Sequence, residues 1–258
     1  MLRIIVNCGP AEPYIARCLG SIRSQSVAGW RAYVTIDPCG DATEEQALLA
    51  ADSDPRIRIH RNHRRRFTMA NLIHGVNWSA AEPEDVIVVL DGDDCFSTPD
   101  ALLTIAEMYR TSGCWMTYGS WVSDLDERHG MWPAYPDGLE NFRTHPWLGT
   151  AVRTWKRWLW DLIDDRDFRD AAGNYFRVTE DQAAMLPMLE MSGTARARHI
   201  AQPLMIYTRS SPHACVYTRR EEMLANEADL KSRPPYPRLT GKPRRTSPLE
   251  NARDYSAV

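Results

Sequence analysis

The chain has 258 residues, 43% hydrophobic and 25% charged, a balance that excludes wholesale disorder and suffices for one large core or two small ones. Its formal charge of -3 argues against a generally basic nucleic-acid-binding protein, while leaving room for local basic patches. No stretch approaches a membrane span, and Met1-Leu2-Arg3 leads straight into a strand pattern and not a signal peptide, so a cytoplasmic protein is expected.

In chain order, residues 3–8 read as an apolar strand, followed by a Gly9-Pro10 turn and a helix with Tyr14, Ile15, Cys18, Leu19 and Ile22 at helical spacing. A second strand over 31–36 stops at Asp37-Pro38, and a helix over 43–51 comes next. A third strand over 56–60, a helix over 69–80 and the run Val86-Ile87-Val88-Val89-Leu90 continue the alternation. Such alternation predicts an α/β fold with a mostly parallel central sheet and helices on both faces. Six cysteines with no Cys-x-x-Cys pair, scattered through apolar segments, predict reduced thiols.

The fourth strand ends in Asp91-Gly92-Asp93-Asp94, at the carboxyl edge where open α/β sheets place ligands. Clustered carboxylates repel one another and are costly to desolvate unless a cation offsets them, and a hard divalent ion takes such oxygens. A solvated acidic turn ahead of a helix over 99–111 is the competing reading, and Asp94 is read as a structural acid of that helix start. Gly92 is read as allowing a tight turn. Beyond it come a strand over 114–118, a loop-rich stretch over 121–149, an aromatic amphipathic helix over 155–163, a helix over 181–191 and a strand over 202–207. The expected boundaries are a single domain over 1–228 in two halves, 1–118, whose carboxyl-edge loops are open to a nucleotide, and 119–228, then a Pro/Arg-rich tail over 229–258.

The order of these segments resembles the family-2-type glycosyltransferases with the GT-A fold, over roughly residues 3–215. The residues that carry it are Ile4 to Pro10 with the helix after them, Asp37, Asn71 in Met69-Ala70-Asn71-Leu72, Leu90-Asp91-Gly92-Asp93-Asp94, and Thr179-Glu180-Asp181-Gln182. Asn7-Cys8-Gly9-Pro10 and Asp37-Pro38-Cys39-Gly40-Asp41 depart from the family's usual Pro-Thr-Tyr-Asn and Asp-Asp-Gly-Ser. The resemblance implies donor contacts at Asn7, Gly9, Asp37, Arg66, Asn71, Asp91 and Arg209, and a divalent cation, Mn2+ or Mg2+, at Asp93 and Asp91 with His213. It implies Asp181 as the base that deprotonates an acceptor hydroxyl, although Glu180 and Asp181 also suit a helix amino terminus.

The reaction implied by the resemblance is an inverting, metal-dependent transfer from a nucleoside-diphosphate sugar, with a UDP-sugar expected, to a hydroxyl on a glycan or other acceptor. The basic run His60-Arg61-Asn62-His63-Arg64-Arg65-Arg66, with Arg233, Arg238, Lys242, Arg244 and Arg245, keeps a nucleic-acid acceptor such as a hydroxylated DNA base in view. Two rivals are a metal-dependent nucleotidyltransferase, which lacks its glycine-rich basic loop here, and a non-catalytic nucleotide-sugar-binding module.

Overall fold

A computed structural model describes residues 1–126, 129–130, 132–213 and 215–243. Strands β1 (Leu2–Cys8), β2 (Trp30–Ile36), β3 (Ile57–Arg61) and β4 (Val86–Asp91) form a parallel block in the order β3-β2-β1-β4. Helices α1 (Ile15–Arg23), α2 (Thr43–Ala51) and α3 (Phe67–Trp78) link them. Alternate residues of β1 feed opposite layers, as strand geometry requires. Ile4 and Val6 pack with Ile15, Cys18, Leu19 and Ile22 of α1, whereas Ile5 packs with Met69, Leu72 and Val76 of α3. All three β1 residues are fully buried, which explains why the strand is an unbroken apolar run.

The second half extends the same sheet past β4, through β8 (Arg153–Lys156), β6 (Met116–Ser123), β9 (Ala197–Tyr207) and the two-residue β5 (Cys95–Phe96), with β7 (His129–Gly130) on β6. Parallel pairs carry most of the register; antiparallel pairing is confined to β8, β5 and β7. Helices α4 (Ala101–Ser112), α5 (Arg157–Trp160), α6 (Glu180–Arg196), α7 (Cys215–Thr218) and α8 (Arg220–Ser232) complete the described elements. Cys8, Cys18, Cys39, Cys95 and Cys114 are free thiols, as expected.

Four sequence expectations need correction. The helix placed over 155–163 is instead strand β8 followed by the single turn α5, because the edge of β4 recruits residues 153–156 in antiparallel register (Val89 opposite Arg153, Val86 opposite Lys156). The tryptophan spacing that suggested a helical face arises from Trp155 stacking on Trp160 across the strand–helix junction, at 5.5 Å and 8°. The strand expected over 114–118 starts later and runs to Ser123, and β5 was too short to carry a periodic signal. Helix α8, with Leu230 as its one buried residue, runs through residue 228, and residues 233–242 lie on the body beyond it. There Tyr236 N–H donates to Glu190 Oε2 (3.0 Å) and Leu239 N–H to the Met191 carbonyl (2.9 Å). Arg244, Arg245 and the rest of the tail lie outside the described residues.

The fourth concerns Gly92. It does not adopt a positive φ, so the turn itself does not demand glycine. Close packing does: its N–H donates to the Asn7 carbonyl (2.9 Å), and a Cβ would sit 2.3 Å from Cys8 Sγ and 3.3 Å from the Asn7 carbonyl oxygen. Gly92→Ala is expected to destabilise the fold by about 1–3 kcal/mol, the cost of overpacking a filled site. The Cys8→Ala background should recover part of that loss in chemical denaturation; equal losses in both backgrounds would show that Cys8 is not the obstacle.

Candidate active site

The carboxyl ends of β1, β2 and β4 open into a cleft of about 400 Å³ whose far wall is the start of α6. Of the expected donor residues, Asn7, Gly9, Asp37, Asn71 and Asp91 line it, with Asp93, Asp181 and His213. Asn7 is 6% exposed, yet neither its side-chain nitrogen nor its oxygen has a partner among the described residues. A buried, unpaired amide costs about 1–3 kcal/mol, and at a cleft wall it marks where a polar ligand group completes the pairing.

Asp37 does more than face the cleft. Its carboxylate accepts the Arg66 N–H (3.0 Å), the Phe67 N–H (2.9 Å) and Asn62 Nδ2 (2.8 Å), and Asn62 Nδ2 also donates to Asn71 Oδ1 (2.7 Å). This buried network fixes the loop that enters α3, so Asp37 and Asn71 shape this wall of the cleft as well as lining it. The loop turns Arg65, and not Arg66, toward the cleft; Arg66 lines the adjoining groove. Arg209 stands apart from the cleft lining: its N–H donates to Asp124 Oδ1 (2.8 Å) and its guanidinium to Asp126 Oδ2 (3.2 Å).

Sequence reasoning missed Arg153. From β8 its guanidinium lies 3.6 Å from Asp91, 3.7 Å from Glu180 and 3.8 Å from Asp181, joining the two walls of the cleft. The residue is 8% exposed and its Nε has no hydrogen-bond partner among the described residues. Burial works against its charge, but Asp91, Asp181 and Glu180 outweigh burial and hold its pKa above the ordinary value. The signal for it was an arginine inside the apolar run Ala151-Val152-Arg153-Thr154-Trp155, which reads as a buried charge once that run is a strand.

One guanidinium does not neutralise this many acids. Burial pushes Asp91 up to about 6 against the pull of Arg153, with Asp93 and Asp181 adding repulsion. Burial pushes Glu180 up to about 7, again opposed by Arg153 and reinforced by Asp181 and Asp91. Burial also raises Asp93, and Asp94 is raised well above its ordinary range by burial, Asp93 and Asp91. Asp94 is 1% exposed and accepts the Thr208 N–H at 2.8 Å, so it ties the acidic turn to the end of β9 instead of starting a helix. Carboxylate oxygens strained in this way fit a hard divalent cation. Among the described residues no three His, Cys, Asp or Glu side chains converge closely enough to hold an ion unaided, and His213 is exposed at the rim.

Glu180 and Asp181 form the first turn of α6, entered through Thr179 at φ 70°, left-handed backbone that a threonine adopts only under constraint. Both line the cleft, Glu180 with 12% of its side chain exposed and Asp181 with 28%. The arrangement sets an acid-lined wall opposite a solvent-reachable carboxylate, with Arg153 between them.

The model of glycosyl transferase family 2 matches residues 4–173. No curated protein matches the chain in sequence. Among solved structures, S. aureus TarS 1-349 in complex with UDP superposes with a TM-score of 0.61 at 14% identity, over 89% of this chain and 64% of that one. Mannosyltransferase PcManGT from Pyrobaculum calidifontis, in complex with GDP-Man and Mn2+, gives 0.62 at 16%, over 92% and 65%. Glucosyl-3-phosphoglycerate synthase from Mycobacterium tuberculosis, with Mn2+, UDP-Glc and phosphoglyceric acid, gives 0.59 at 13%, over 91% and 80%. The chain thus spans less than two thirds of the length of the first two, and the likeness shows a GT-A fold.

Proposed function

The chain belongs to glycosyl transferase family 2, and on that premise we propose that it moves a sugar from a nucleoside-diphosphate donor, a UDP-sugar, to an acceptor hydroxyl with inversion at the anomeric carbon. The observation that carries the reading is the divided cleft, with Asp91 and Asp93 on the wall built by β4, Asp181 on the wall built by α6, and Arg153 between. Membership of a transferase family sets aside the nucleotidyltransferase and the non-catalytic module, and neither comparison supports a nucleic-acid acceptor.

Asn7, Asp37 and Asn71 bind the nucleoside side of the donor, and Arg65 replaces Arg66 as the arginine nearest to it. Asp91 and Asp93, with His213 at the rim, would hold Mn2+ or Mg2+, which when bound supplies Lewis-acid stabilisation of charge on the leaving diphosphate. Asp181 accepts the proton of the acceptor hydroxyl as that oxygen bonds to the anomeric carbon and the bond from that carbon to the diphosphate oxygen breaks. Arg153 offsets the repulsion between Asp181 and Asp91 and orients both. UDP, UDP-Glc and Mn2+ in the structural relatives support the donor and the cation, although GDP-Man in PcManGT keeps the base open to test.

A panel of nucleotide sugars, each melted with the protein with and without Mn2+, tests this reading. A donor present at ~100 times its Kd adds ~2.7 kcal/mol to stability. A UDP-sugar that stabilises only with the cation, and gives product of inverted configuration by NMR, is the expected result. Stabilisation by a guanosine sugar alone would overturn the choice of base, and retained configuration would overturn the single-displacement route.

A further inference from the structure

Beside the cleft, between the loop that enters α3 and the segment over 169–177 that leads into α6, lies a second groove of about 680 Å³ whose walls carry Arg64, Arg65, Arg66 and Arg177. It meets the cleft at Arg65, Phe67 and Arg177. Arg65 and Arg177, with Arg219 from outside the groove, come from segments far apart in the chain and converge on one ring. The guanidinium carbons of Arg65, Arg219 and Arg177 stand 4.7, 4.9 and 5.2 Å from the centre of Phe67. Phe67 holds this place with φ at 64°, again left-handed backbone in a bulky residue. Thr68 Oγ1 fastens it by donating to the Arg177 carbonyl at 3.1 Å.

Gathering like charges costs free energy that the quadrupole of one ring repays only in part. A single carboxylate, Glu222, serves both Arg177 (3.0 Å) and Arg219 (2.8 Å). Arg64, Arg65 and Arg66 have no carboxylate partner among the described residues. A solvated basic loop would let these side chains splay apart, whereas here three chain segments and a strained backbone hold them together.

We propose that this groove binds a phosphate group carried by the acceptor, so that the enzyme glycosylates a hydroxyl of a phosphorylated compound. The inference rests on the transferase reading above, because it makes the groove the acceptor's extension of the cleft. Arg64 and Arg66 line the groove and not the cleft, so they stand outside the pocket assigned to the donor, while Arg177 belongs to the segment that leads into Asp181. Guanidinium groups suit a phosphate because their planar N–H pairs meet two of its oxygens at once.

Calorimetric titration of sn-glycerol 3-phosphate into the full chain saturated with UDP and Mn2+, against glycerol as the neutral control, tests the assignment. Glycerol 3-phosphate should bind, glycerol should not, and the affinity should fall with added salt. In the Arg64→Gln/Arg66→Gln double variant, at two arginines that line only the groove, it should fall by about tenfold or more, as expected for lost charge-assisted hydrogen bonds, with lysine at both positions restoring part of it. UDP affinity, measured separately, should be the same in the variants, which also reports that they fold. No binding of glycerol 3-phosphate, its displacement by UDP, or unchanged affinity in the double variant would overturn the proposal. Tighter, arginine-dependent binding of a duplex oligonucleotide would overturn it in favour of a nucleic-acid backbone. Loss of UDP binding with phosphate binding retained would instead sink the donor reading and leave the groove standing.

Discussion

Asp181→Asn is expected to lower turnover by ~10²–10⁴-fold, the range that a positioned general base contributes, while leaving UDP affinity within about twofold. Asparagine keeps the shape of the side chain and its place in the first turn of α6, but it cannot take a proton at neutral pH. Single-turnover transfer with donor prebound isolates the chemical step from binding. Glu180 is the rival base, since burial brings its carboxyl up to about 7, near working pH. Both carboxylates line the cleft, but Glu180 is the more deeply buried, whereas Asp181 is the one an acceptor reaches from solvent. Full turnover in Asp181→Asn together with loss in Glu180→Gln would transfer the role to Glu180.

The second large effect is expected at Asp93. Asp93→Ala should cut cation-stimulated transfer by ~10²–10³-fold, comparable to removing one group that stabilises developing charge. The fold should survive, because what Asp93 gives to it is its backbone: its carbonyl accepts from Arg17 Nη2 (3.3 Å) and from Thr208 Oγ1. Deleting the side chain also removes a repulsion that lifts the neighbouring Asp91 and Asp94, so the melting temperature without cation should hold or rise. Gain of ligand-free stability with loss of function is the usual mark of a site whose acids are strained in the absence of ligand. Unchanged half-saturation by Mn2+ in Asp93→Ala would remove Asp93 from the cation site.

Asp181 and Asp93 stand on opposite halves of the molecule, and those halves differed in how legible they were. Strands β1, β2 and β4 are buried on both faces, so their apolar runs stand out whatever surrounds them. The helices between them begin and end within two residues of where spacing placed them. Strand β8 was misread because only four residues pair and two of those are charged, leaving the edge of β4 to decide their conformation. Helix α8 buries one side chain, so it leaves no apolar stripe to read. Arg66 was a near miss: a run of three arginines says that one reaches the cleft, but the capping of the loop by Asp37 selects Arg65.

By itself, the sequence determined the α/β alternation, the acid-ended strand and the Glu180–Asp181 pair, because each is a local pattern whose hydrophobic period or charge is visible within a dozen residues. Only the tertiary structure decided that Asp91, Arg153 and Asp181, 62 and 28 residues apart in succession, share one cleft and that the arginines at 65, 177 and 219 share one ring. Those distances arise from strand pairing and loop capping. Both are properties of the assembled sheet and not of any stretch of chain.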